Sequence, residues 1–95
     1  MHRYEYVGKY YQSKETGDIS ERVYSYCFNL YDNSMNLIQT SGDKIHDSSM
    51  DTELNESRDV YTIEQDLELN KSYYLEYLVT TLNGLRISSK RYRIM

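Results

Sequence analysis

Val23-Tyr24-Ser25-Tyr26-Cys27-Phe28-Asn29-Leu30 is the stretch that decides the fold. Tyr24, Tyr26, Phe28 and Leu30 fall on one side of an extended chain, and Ser25, Cys27 and Asn29 on the other. A period of two marks a β-strand with one face buried. Tyr73-Tyr74-Leu75-Glu76-Tyr77-Leu78-Val79 repeats the pattern, placing Tyr73, Leu75, Tyr77 and Val79 on a core face. The chain holds twelve tyrosines against one Phe, with no Trp and no Pro, so one amphipathic aromatic serves core and surface alike. Sorted by strand phase, Tyr4, Tyr6, Tyr10, Tyr24, Tyr26, Tyr61 and Tyr77 become core candidates.

Outward from these stretches the same reasoning finds further strands. Tyr4 to Tyr11 alternates, with Gly8 marking a bulge or a close backbone approach. A polar connection, Ser13 to Asp18, turns at Gly17. Asp32-Asn33-Ser34 reads as a turn and Asn36 to Thr40 as a short edge strand. From Asp43 to Asp59 the chain is polar, a long loop anchored by Ile45, Met50 and Leu54, with a short strand near Lys44-Ile45-His46. Arg58 to Gln65 is a strand with Tyr61 and Ile63 inward, and Leu67 to Lys71 forms a corner. Asn83-Gly84 predicts a two-residue hairpin turn with positive φ at both positions. The last strand, Leu85 to Ile94, changes apolar parity, which predicts a bulge around Ser88-Ser89-Lys90. No segment sustains a helical period. The expected class is all-β, an antiparallel β-sandwich of about six to seven strands.

Ninety-five residues suit one domain spanning 1–95. Strand-like sequence runs to both ends, so the expectation is one module of a longer multidomain chain. The net charge of −4 argues against nucleic acid and against an anionic membrane surface as partners. No stretch approaches the roughly 20 apolar residues of a membrane span. Cys27, the single cysteine, excludes an internal disulfide and a cysteine-based zinc site.

Leu67 followed by Tyr73, then alternating Leu75, Tyr77 and Val79, a Gly-containing turn and a Ser-rich last strand resemble a fibronectin type III domain. The resemblance implies that Tyr73 is a tyrosine corner, its hydroxyl bonding backbone upstream. It also implies that Tyr4–Tyr11, Arg22–Tyr31 and Leu37–Thr40 correspond to strands B, C and C′, with strand A missing or reduced. A narrower likeness rests on Tyr26-Cys27-Phe28-Asn29-Leu30-Tyr31-Asp32, on Thr40-Ser41-Gly42, and on Val79-Thr80-Thr81-Leu82-Asn83-Gly84-Leu85 with Ser88-Ser89 and Tyr92-Arg93-Ile94-Met95. These stretches resemble immunoglobulin-like modules of large virion (tail) proteins from bacteriophages and prophages of Firmicutes. Such modules are spacers or attachment elements without catalytic residues.

Candidate chemistry is sparse. Neither His2 nor His46 lies near Cys27 in sequence, and Cys27, pointing away from the aromatic face, is expected to be exposed or half-buried under a loop. Asp43, Asp47, Asp51, Glu53 and Glu56 crowd one loop that could hold a weak calcium ion, although carboxylates are ordinary loop residues. Asp32-Asn33-Ser34-Met35-Asn36 imitates the start of a calcium loop, but Leu37 stands where the turn glycine belongs. Arg86, Lys90, Arg91 and Arg93 make a basic end that reads as a solvated edge. Tyr11, Tyr31 and Tyr74 fall off the inward phase and are expected on the surface, where tyrosine gives rigid contact area for sugar rings or a neighbouring subunit. The reading is therefore of a non-enzymatic structural or adhesion module with no cofactor and no metal. Its expected partners are neighbouring domains or subunits of a phage particle. The alternative is a carbohydrate-binding module of a cell-surface or secreted protein that recognises surface glycan.

Overall fold

A computed structural model describes residues 4–11, 22–51 and 56–95. The segments 13–18 and 52–55, with Gly17, Glu53 and Leu54, lie outside the described residues, as do His2 and the side chain of Met50. The strands are β1 (Tyr4–Tyr11), β2 (Val23–Tyr31), β3 (Leu37–Thr40), β4 (Lys44–Ile45), β5 (Glu56–Ile63), β6 (Tyr74–Thr81), β7 (Arg86–Ser88) and β8 (Tyr92–Arg93), with a short 3-10 turn at Ser48–Met50. All pairings are antiparallel. Among the described residues β1 and β5 form one sheet. The other runs β3-β2-β6-β7, with β4 also on β2 and β8 also on β6. The protein is all-β.

Both sheets give side chains to one core. Phe28 and Leu30 from β2, Tyr61 and Ile63 from β5, and Leu75, Tyr77 and Val79 from β6 are buried together, and Tyr4, Tyr6 and Tyr10 of β1 pack against them. The centre is an aromatic stack. Phe28 lies 5.0 Å from Tyr61 at an interplanar angle of 5°, and 4.9 Å from Tyr77 at 30°. Offset stacking of this kind adds to the gain from burial alone. Gly8 sits against it: a Cβ there would fall 2.7 Å from the Tyr77 ring. Of the two readings of Gly8, close approach is the one realised, since β1 pairs with β5 in unbroken register.

Four expectations require correction. Tyr24 is half-exposed, at 51%, because the β2–β6 register shifts between Val23 and Ser25. The extra residue turns Tyr24 outward and puts Val23 into the core, while Ser25 is buried. Ile45 does not anchor its loop but is 66% exposed. Cys27 is neither exposed nor half-buried but buried, its Sγ lying 3.7 Å from Thr40 Oγ1. The Asn83-Gly84 turn is a three-residue loop. Thr81 N–H donates to Leu85 O and Gly84 N–H to Thr81 O, both at 2.9 Å, and only Gly84 takes positive φ, at 85°. A type I turn closed by a left-handed glycine satisfies the same Asn-Gly pair. The parity change in the last strand is resolved at Lys90, whose φ of 63° separates β7 from β8.

Candidate functional site

The three tyrosines expected on the surface do not form one patch. Tyr11, 63% exposed, ends β1 in the small sheet, whereas Tyr74 starts β6 in the large one. Tyr31 and Tyr74 are brought together as cross-strand partners. Tyr31, however, is buried to 8% exposure, so its expected place on the surface is overturned. The Arg91 guanidinium covers its ring at 4.0 Å from the centroid, a cation–π contact, and its hydroxyl donates to Glu76 Oε1 at 3.0 Å. Glu76 also accepts from Asn29 Nδ2 at 3.0 Å and Ser88 Oγ at 3.3 Å. Burial alone would raise the Glu76 carboxyl, but these hydrogen bonds outweigh it and hold the group below its usual value. Outward parity thus placed Tyr31 on a sheet face that distant side chains cover. Tyr73 is buried, and its hydroxyl accepts a hydrogen bond from Glu68 N–H at 3.0 Å, tying the segment before β6 to its own start.

The densest polar constellation centres on His46. Its Nδ1 lies 2.7 Å from Asp59 Oδ1 and its Nε2 2.8 Å from Asp51 Oδ1, and the side chains of His46 and Asp59 are each 3% exposed. A neutral imidazole carries one N–H, so two carboxylate partners require the doubly protonated ring. Burial by itself lowers the imidazolium pKa, yet the hydrogen bonds and charges of Asp59 and Asp51 prevail and raise it above 6.5. Tyr77 donates its hydroxyl to Asp59 Oδ2. Burial first, and then this acceptor, push the Tyr77 phenol far up, so it remains a donor. The chain from Asp51 through His46 and Asp59 to Tyr77 fastens the loop after β4 to β5 and to the aromatic stack. Sequence reasoning passed over His46. The available signal was Asp59, which shares the inward parity of Tyr61 and Ile63 on β5 and is a charge on a core face.

The acidic loop is spent on internal contacts. Asp47 accepts from Ser49 N–H at 3.0 Å, Asp51 holds His46, and Glu56 pairs with Arg58. No group of three or more potential metal-ligating side chains forms among the described residues. Asp32 Oδ1 accepts from Ser34 N–H and Asn36 N–H, each at 2.9 Å, the bonding of an Asx turn. At the basic end, Arg86 Nη2 lies 3.5 Å from Asp43 Oδ1 and Arg91 caps Tyr31. No protein-family model, no curated protein and no solved structure matches this chain.

Proposed function

We propose that this protein is an immunoglobulin-like β-sandwich of the fibronectin type III kind, acting without catalysis as a spacing or adhesion module of a phage tail or related virion assembly. The observation that carries the reading is the strand order. On this reading the β1-β5 pair and the β3-β2-β6-β7 sheet stand for B-E and C′-C-F-G, the two faces of such a sandwich, with no counterpart of strand A among the described residues. The Tyr73 hydroxyl on Glu68 N–H supplies the bond a tyrosine corner needs at the start of strand F. Its polar networks join elements of the fold to one another, which suits a domain that presents surface. The step from this fold to a virion is an analogy with the modules it resembles. An antibody against this domain, applied to intact particles from cells that encode the chain, is expected to decorate the tail in electron micrographs. Recovery of the chain only in the particle-free lysate would overturn the virion role. A second reading, a carbohydrate-binding module of a cell-surface or secreted protein, is favoured by one observation, a polar cleft lined by Tyr26, Gln39, Lys44, Tyr61 and Glu64.

A further inference from the structure

Where β3 and β4 face β5, the two sheets leave a cleft of about 390 Å³. Tyr61 stands in its floor with its ring stacked on Phe28, 8% exposed, and its hydroxyl is buried without a hydrogen-bond partner. Buried polar groups in folded proteins are nearly always bonded, so an orphan hydroxyl at the base of an open cleft marks a place where a partner fits. Gln39 is its polar neighbour, but that amide is turned to the β5 backbone and no hydrogen bond joins it to the hydroxyl. Its Nε2 donates to Thr62 O at 3.2 Å, and its Oε1 accepts from Glu64 N–H at 3.3 Å. Burial, only partly opposed by Gln39, raises the Tyr61 pKa, so the group stays a phenol able both to donate and to accept.

The rim narrows the chemistry of the partner. Lys44 and Glu64 are both exposed there and form no ion pair among the described residues, so one positive and one negative group face the opening. That balance disfavours an anion. The half-buried Tyr26 ring adds an aromatic surface to walls that are otherwise mostly polar. A peptide strand is disfavoured too, because the Gln39 and Gln65 side chains already stitch β3 to the end of β5 through Thr62 O and Ile38 O. We propose that this cleft binds a neutral polyhydroxylated ligand, one or two sugar rings. The Tyr61 hydroxyl anchors the ligand from below, Lys44 and Glu64 take its outer hydroxyls, and Tyr26 meets its apolar face. The site is distinct from the Tyr11, Tyr31 and Tyr74 candidates, and it holds whether the domain belongs to a virion or to a cell surface.

Tyr61→Phe removes one oxygen and nothing else. On a glycan array the parent protein is expected to retain neutral glycans. Amide shifts on titration with the free sugar should cluster at Gln39, Thr62 and Glu64, and Tyr61→Phe should weaken binding about tenfold or more. Because that hydroxyl bonds nothing in the free protein, Tyr61→Phe is expected to melt at the same temperature as the parent or higher. No retained glycan, retention of anionic glycans alone, equal affinity in Tyr61→Phe, or a lowered melting temperature in that variant would each overturn the proposal. The last would show that the hydroxyl is already satisfied by the fold itself.

Discussion

His46→Ala is expected to cost about 3–5 kcal/mol of folding stability near pH 6, the range for breaking a buried ion pair on one side. The cost comes from the carboxylates left behind. Asp59, 3% exposed in its side chain, would keep only the Tyr77 hydroxyl, and Asp51 would lose its bond to the ring. The pH dependence has a definite sign. The His46 pKa is raised in the folded protein, so its contribution is full below the unfolded value, about 6.5, and is lost as pH rises through the folded value. The carboxylates, Tyr26 and Tyr77 face this group, and neither tyrosine titrates in that window, because burial raises both phenols. Urea unfolding from roughly pH 6 to 9 should show the parent losing stability on the alkaline side and His46→Ala lacking that loss. A parent whose stability is flat across the window, or a variant that retains the slope, would show that the imidazolium is not the pin.

Phe28→Ala should be comparably severe, at about 3–5 kcal/mol, because it opens a cavity at the centre of the aromatic stack. Phe28 is fully buried. It touches Tyr61 and Tyr77 by stacking and Tyr26 edge-on, with centroids 5.8 Å apart. Those three rings come from both sheets, so the loss loosens the contact between layers and cannot be repaired inside one strand. Against the roughly 5–15 kcal/mol of an ordinary domain this is a large fraction, enough to unfold part of the population at room temperature when the parent lies at the low end of that range. Equilibrium denaturation measures it directly, with Phe28→Leu expected to retain a good part of the stability. A loss of under about 1 kcal/mol in Phe28→Ala would mean that the stack does not bridge the sheets.

Much of this architecture was legible in the sequence. The β1, β2 and β6 strands follow from alternation, the short β3 strand from the turn before it, the short β4 strand from its place in a polar loop, and the β7–β8 break from the parity change. What failed did so for physical reasons. Alternation assumes an unbroken register, and one inserted residue at Val23-Tyr24-Ser25 was enough to send Tyr24 outward. It also equates outward parity with exposure, which Arg91, sixty positions away in the chain, defeats by covering Tyr31. The His46 network joins a loop, β5 and β6, so no local pattern announces it. Asp59 alone, a carboxylate in phase with Tyr61 and Ile63, carried the hint. The cleft was invisible for the same reason: its floor and rim come from β2, β3, β4 and β5.

The excess of tyrosine is thus chiefly architectural, and its chemical reactivity can be read ring by ring. Nitration of the native protein with tetranitromethane, located by mass spectrometry, is expected to modify Tyr11 and Tyr24 readily. Tyr31, Tyr73 and Tyr77 should stay unmodified until the protein is unfolded, since they are 8%, 6% and 5% exposed against 63% and 51% for the first two. Native-state nitration of Tyr73 or Tyr77 as fast as that of Tyr11 would mean that these rings are not in the core and that the two sheets do not close over them.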